Sequence, residues 1–344
     1  MRLHLTVLLV CVTPTLLYAQ AEPPADPKAT TLLTEDPLGV ASISAIWEND
    51  GRFFEVFADS DRWYTNGLEV DMSFTRPWPG AAARLLPFKD NYDDPRKAGG
   101  IVFGQQIFTP EDIESPALIP DDRPYAGYLY AGLYVQQADD IRMDHLELNV
   151  GVVGSWSQAE DAQRFVHSIL PNQVEPRGWD HQLANELAIN VTYEHRWKTP
   201  RAQLADLELD LIGGVGFRAG NVHTDMNASV TGRIGYNLPN DFGPANIDSF
   251  RDATGTWAED FGVYAYGRAM GRAVAHDILL DGNTFANSHS IGHKELVGTI
   301  EVGVMLHYKW FETGWTTTWQ SEQFDGQAEP HVIGAWTIAG RFTY

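Results

Sequence analysis

Cysteine is almost absent from this chain of 344 residues: Cys11 is the only one. It lies in an apolar run, Leu5 to Leu17, that follows Met1-Arg2 and precedes the small-x-small triplet Ala19-Gln20-Ala21. That order reads as a secretory signal over residues 1–21, cleaved after Ala21. Val10 stands where a lipoprotein signal wants a small residue, so no lipid anchor is expected. The mature chain then has no thiol, and an exported protein without disulfides must draw stability from elsewhere, such as a closed barrel. Long apolar runs are missing too. No stretch after the signal reaches the roughly 18 residues a helical span needs, which excludes transmembrane helices. Positive charge is scarce, with 24 Lys and Arg against 46 Asp and Glu, a net charge of −22 and a pI near 4.7. Nucleic acid is a poor partner for such a surface. Binding any other anion would need local Lys or Arg, or a bridging divalent cation. No Gly-x-Ser-x-Gly nucleophile motif occurs either.

What the chain does have is aromatic residues and glycine: 11 Trp, 13 Tyr, 16 Phe and 31 Gly. Both are frequent in outer-membrane barrels. The chain stops on an alternating strand in which Trp336, Ile338, Gly340, Phe342 and Tyr344 share one parity. A final strand ending in an aromatic resembles the signal read by the barrel-insertion machinery. The alternation recurs in Leu68, Val70, Met72 and Phe74 against Glu69, Asp71 and Ser73. It recurs in Leu187, Ile189, Val191 and Tyr193, in Leu207 to Phe217, and in Ile300 to Tyr308. Period-2 patterning is the strand signature. A soluble sandwich would bury the aliphatic face, whereas a membrane barrel turns it to lipid.

Strands are expected near 43–50, 64–75, 101–108, 124–137, 145–154, 184–197, 204–218, 225–238, 260–273, 295–309, 312–324 and 332–344. The fold class is therefore all-β, a 12-stranded antiparallel transmembrane β-barrel over 41–344, in the outer membrane. Residues 22–40 are expected to be a flexible lead-in. Long joins at 76–100, 109–123, 155–183, 239–259 and 274–294 are expected outside the cell. One of them, Gln158 to Leu170, carries Ala162, Phe165, Val166 and Ile169 at helical spacing and reads as a short amphipathic helix in a long loop. Inward charges such as Glu186, Glu194, Arg196, Glu301 and Lys309 are expected to fill the lumen.

Three polar clusters stand out. Trp47-Glu48-Asn49-Asp50-Gly51 ends the first strand, and Asp59 to Gly67 opens the second. His167 lies on the helix, followed by Glu175 and Gly178-Trp179-Asp180. Each has a bland reading: Asn-Asp-Gly is a turn signal, an Asp-rich loop is usually solvated, and a lone helical His is more often structural than catalytic.

The same residues carry a family resemblance. IWENDGRFFEVFADSDRWYTNGLEVDMSF resembles the opening of the LpxR-type lipid A 3′-O-deacylase family. DDRPYAGYLYAGL at 121–133, NVGVVGSWSQAEDAQRFVH at 149–167, GWDHQLANE at 178–186 and GRIGYNLPNDFG at 232–243 are also similar to it. The resemblance runs from about residue 42 to the C-terminus. It implies a 12-stranded outer-membrane barrel and a Ca²⁺-dependent esterase that removes the 3′-acyloxyacyl chain of lipid A. It places the catalytic roles on Asn49, Asp50, Thr65 and His167, and the metal on Asp50 and Glu175. Lipopolysaccharide would be the substrate. Residues 109–122 contain no Lys or Arg where some members place a lysine, a departure that bears on phosphate recognition and substrate choice.

The chemistry implied is water attack on an ester. His167 would take the proton, having an unperturbed pKa near neutral. Ca²⁺, a hard cation that takes oxygen ligands, would polarise the carbonyl. Asn49 and Thr65 would position the water or the oxyanion, with the site where the lumen opens to the outer leaflet. An outer-membrane phospholipase is the rival enzyme and would need a Ser beside His167. A small channel or structural barrel is the non-enzymatic rival, and a degenerate member kept for binding lipopolysaccharide is a third.

Overall fold

In the computed structural model, residues 40–50, 62–75, 79–169, 174–256 and 260–342 are described. The expected signal and most of the lead-in lie outside them. Twelve long strands appear where alternation placed them: β1 (Val40–Asn49), β2 (Trp63–Phe74), β3 (Arg96–Thr109), β4 (Ala126–Ala138), β5 (Arg142–Val153), β6 (Glu186–Lys198), β8 (Leu207–Gly220), β9 (His223–Tyr236), β10 (Gly262–Asp277), β11 (Leu296–Tyr308), β12 (Phe311–Gln320) and β13 (His331–Arg341). A three-residue strand, β7 (Ala202–Leu204), pairs only with β8. Every neighbouring pair is antiparallel, β1 pairs with β13, and β6 pairs with β8, so the sheet closes on itself. Closure satisfies every edge, which is what lets strands cross a membrane.

The period-2 pattern sorts the two faces. Leu68, Val70 and Met72 of β2, Leu187 and Ile189 of β6, and Ile300, Val302 and Val304 of β11 are all exposed on the outside. Their alternating partners Asp71, Glu186, Asn190 and Glu301 are buried inside. This is the lipid-facing arrangement, the reverse of a sandwich. Among the expected luminal charges, Glu194 pairs with Arg196 at 2.7 Å and Glu301 with Arg268 at 3.1 Å. Lys309 is different: it sits in the β11–β12 turn with φ 53°, its ammonium 5.2 Å from the exposed Tyr308 ring. The turn needs a left-handed residue there, which takes the side chain off the strand's inward parity.

The long joins do not share one rim. Successive antiparallel strands reverse direction, so joins must alternate between rims. The ends of β1, β3, β5, β10 and β12 lie at the rim opposite Val40 and Arg341; 79–95 and 237–256 belong to joins at the rim of Val40 and Arg341. The expectation that 76–100 and 239–259 face outward is corrected on this ground.

The 237–261 join also does something the pattern did not announce. Its residues 238–256 fold back into the lumen as a plug. Phe242, Ala245, Ile247, Phe250 and Ala253 are all buried there. Phe250 stacks on His145 with ring centres 3.9 Å apart. Asp248 reaches Arg218 and Arg272 at 3.3 and 3.2 Å, and Arg196 donates to the Ser249 hydroxyl at 2.8 Å. Among the described residues, cavities of about 80 and 60 Å³ lie between plug and wall.

Candidate functional site

On β1, Ser42, Ser44, Ile46 and Glu48 are buried on the luminal face, so Asn49 has the outward parity of Ile43, Ala45 and Trp47. Its amide Nδ2 donates to the Thr65 carbonyl at 2.6 Å. Asp50, at the strand end, is fully buried. The β2–β3 register shifts between Tyr64 and Asn66, leaving Thr65 as a bulge. A bulge re-aims a side chain at the cost of a ladder pairing. Two residues earlier Trp63 adopts φ 72°, held there by Phe324 and His331 at ring distances of 5.9 and 5.6 Å. A bulky residue in the left-handed region is a local strain that packing must enforce. The Thr65 hydroxyl lies 2.7 Å from that of Thr109, which ends β3 on the outward parity of Phe103 and Gln105.

The luminal side of the same strand ends is pinned. Tyr64 donates to Glu48 Oε2 at 2.9 Å, and the other Glu48 oxygen accepts the Ile247 N–H of the plug. Tyr64 packs on Phe108, and the Arg123 guanidinium lies 4.4 Å above that ring. Arg123 is 1% exposed, and burial lowers its pKa to about 10, which leaves it charged at neutral pH.

The expected helix is present as α1 (Ala159–Ile169), with Glu160 and Asp161 in its first turn, where the helix dipole favours acids. It sits on the outside of the wall. Gly127 of β4 points outward, and a Cβ there would lie 2.1 Å from Ser157 Oγ and 2.3 Å from Ala159 Cβ. Ile107, Ile113, Tyr125, Ala159 and Trp179 form a small core between helix and wall. Trp179 donates from its indole to Gln163 Oε1 at 2.8 Å, so the Gly178-Trp179-Asp180 cluster serves to seat the helix. The apolar residues at helical spacing do not all face the wall. Ala162 packs inward, but Phe165 and Ile169 are 51% and 60% exposed. The wall offers only a glycine, so small residues and Gln163 approach it.

His167 is partly exposed, and its Nδ1 lies 2.6 Å from the Val174 carbonyl. A carbonyl only accepts, so Nδ1 carries the hydrogen, and in the neutral ring Nε2 keeps its lone pair. Glu175 is held by Arg164 and Arg177 at 3.2 and 3.9 Å. Asn49, Asp50 and Thr65 are thus gathered at one strand end. His167 stands on a helix over β3 and β4, about two strand spacings (on the order of 10 Å) from β2. Among the described residues no group of three His, Asp, Glu or Cys is arranged to hold a metal. Asp59 to Asp61 lie outside the described residues.

Sequence reasoning missed Thr109 and Gln163. The outward parity of β3 and the i, i−4 spacing from His167 were the signals available for them. The site was expected where the lumen opens to the outer leaflet; parity puts Asn49 and Thr109 on the outward side of the wall, and the bulge brings Thr65 to Thr109.

A family model described as outer membrane protein LpxR matches residues 3–342. The chain belongs to that family. LpxR from Salmonella typhimurium is similar in structure with a TM-score of 0.73, at 17% identity, over 88% of this chain and all of that one. At that identity the likeness establishes the fold, the closed outer-membrane barrel. The β domain of the Bordetella autotransporter BrkA also aligns, at a TM-score of 0.44 and 10% identity, over 89% of this chain and all of that one. No curated protein matches in sequence. As a member of the LpxR family, the chain is an outer-membrane protein, which agrees with its lipid-facing aliphatic belt.

Proposed function

We propose that this LpxR-family barrel is a lipid A deacylase that hydrolyses the ester of the 3′-acyloxyacyl chain. The observation that carries the reading is the outward parity of Asn49 and Thr109, with Thr65 turned to Thr109 by the bulge, under a helix that brings His167 to the same outer wall. An ester of a membrane lipid reaches that surface from the side, without entering the barrel.

In the proposed reaction His167 Nε2 accepts a proton from water, and the hydroxide adds to the ester carbonyl. The oxyanion that forms takes hydrogen bonds from the second N–H of Asn49 and from the Thr65 hydroxyl. Thr109 accounts for the orientation of that hydroxyl. Collapse of the intermediate breaks the C–O bond, and the proton returns from His167 to the leaving alkoxide. Asp50 is kept as a site residue by its place beside Asn49. Asp50 and Glu175 are the carboxylates that would hold a calcium ion, which would polarise the ester carbonyl when bound; no step is routed through it.

A channel is disfavoured by the plug, which predicts negligible conductance in planar bilayers. A phospholipase would act at the same surface and is separated by substrate. The test is mass spectrometry of lipid A from cells expressing the wild type or His167→Ala, with and without a calcium chelator. Loss of one acyloxyacyl unit in the wild type alone supports the reading, and the chelator arm decides calcium. Unchanged lipid A around a correctly inserted wild-type barrel would sink it.

A further inference from the structure

The faces of α1 divide three ways. One face is turned to the wall and carries Ala159, Ala162 and Gln163, in contact with β3 and β4. At about 100° per residue, Glu160, Arg164 and Ser168 fall together on one stripe, where Arg164 pairs with Glu160 at 3.1 Å. The next stripe starts at Asp161 in the first turn and continues as Phe165 and Ile169, one helical turn apart, each more than half exposed. A surface helix in water turns such residues inward; here they point sideways off the wall.

What lies along that wall is already established as lipid-facing. Ala159 covers Gly127, and the next outward residue of β4 is Leu129, about 7 Å further along the strand. Leu133 of β4 and Phe103 of β3 continue the same outward rows and are 58% and 57% exposed. Trp156, just before the helix, is 55% exposed at the same rim, a position where membrane proteins keep aromatic anchors. The helix therefore begins where the aliphatic belt ends.

We propose that the Phe165–Ile169 flank of α1 is an interfacial anchor that dips into the acyl chains of the outer leaflet. The Glu160–Arg164 stripe faces water, and the small wall-facing residues lie against the barrel. The partner is bulk acyl chain, not a protein and not a bound substrate. An amphipathic helix lying in the interface plane with one apolar side buried is a known physical solution. This inference stands apart from the deacylase reading, since it concerns only where the helix lies.

The test uses the full chain in a Cys11→Ser background, with a single cysteine introduced as Phe165→Cys, Ile169→Cys or Glu160→Cys and labelled with an environment-sensitive nitrobenzoxadiazole. The proteins are reconstituted into phosphatidylcholine vesicles, which contain no lipid A. At 165 and 169 the dye should shift to the blue, be quenched by nitroxide carried on the acyl chains, and resist aqueous iodide. At 160, across the helix, the pattern should reverse. Equal iodide quenching at all three positions overturns the proposal. Tryptic cleavage at Arg164 in the same vesicles gives a second readout without a dye. Phe165→Asp with Ile169→Asp should raise the rate by about tenfold or more, because burial of one such side chain is at least a tenfold term. Phe165→Leu with Ile169→Leu should leave it unchanged. Equal rates in both pairs overturn the proposal as well.

Discussion

Replacing Arg233 by Met should destabilise the barrel more than any surface change, and the reason lies at the root of the plug. Arg233 of β9 gives Nε and Nη2 to the two oxygens of Asp210 on β8, at 2.8 and 2.7 Å. Its Nη1 donates to Asp241, where the plug leaves the wall. The three side chains are 0%, 2% and 6% exposed. Met fills the volume of the stem but leaves two carboxylates buried without their cation. Breaking a buried pair on one side costs about 3–5 kcal/mol. Asp241 keeps one backbone donor, the N–H of Gly243 at 3.1 Å, so the middle of that range is the fair value. About 4 kcal/mol corresponds to roughly a thousandfold in the unfolding equilibrium. Removing all three charges, Arg233→Met with Asp210→Leu and Asp241→Leu, should recover most of the loss, because a buried ion cluster and a well-packed apolar one are often close in energy. Urea unfolding in lipid vesicles, followed by tryptophan fluorescence, measures both. A single variant that loses less than about 1 kcal/mol, or a triple variant less stable than the single one, refutes the account of the clamp.

Thr109→Val should lower the turnover of lipid A by about tenfold with little change in KM, because it removes the orientation of a donor and not the donor itself. Thr109→Ser should restore it; equal rates in all three would show that the hydroxyl pair is incidental. Gly127→Ala places a methyl about where Ser157 and Ala159 already stand. It should displace α1 and cut activity by about a hundredfold, while the heat-modifiable gel migration of the barrel is retained. Full activity would mean that the helix position is not needed. Asp281, in the join after β10, is pushed up by burial. Hydrogen bonds from His276, the Asp277 N–H and His293 outweigh that and hold it below the usual carboxylate value. A depressed folded pKa stabilises above the unfolded value of about 3.9 and is lost as pH falls through the folded one. Hydrogen exchange in 278–295 should therefore rise below about pH 4 in the wild type, and already at neutral pH in Asp281→Asn. No difference between the two at neutral pH would remove Asp281 as the tie.

The barrel was legible because a lipid-facing strand must alternate: Leu68, Val70 and Met72 can be exposed only if Glu69, Asp71 and Ser73 point inward. The plug was hidden because Asn240-Asp241-Phe242-Gly243-Pro244 has every mark of a solvated loop. Its one readable clue was apolar content: Phe242, Ile247 and Phe250 are a poor fit to water, and a loop carrying them needs somewhere to put them. The helix was found from its period, which does not say which face meets the wall. A wall position occupied by Gly127 admits only Ala159 and its small neighbours. The larger apolar residues are left for a second apolar environment, which an isolated sequence cannot distinguish from a core. Asn49, Asp50 and Thr65 were readable as a cluster. Which way Thr65 turns was decided by one residue of bulge.

That last point ties the inside of the barrel to the outside. Glu48 and Asn49 are neighbours on β1 and, by parity, point to opposite sides. Glu48 is clamped between the Tyr64 hydroxyl and the Ile247 N–H of the plug, so the luminal filling fixes the end of β1. Asn49 inherits that fixed position on the lipid side and passes it to the Thr65 carbonyl at 2.6 Å. A mobile strand end at a barrel rim would be a poor base for catalysis, since misplacement of about 1 Å costs roughly a hundredfold in rate. A sealed lumen is no obstacle to an enzyme whose substrate arrives through the membrane, and here the seal supplies the rigidity. The plug and the outer-wall site are in this sense one arrangement, the packed interior holding still the surface on which the proposed chemistry takes place.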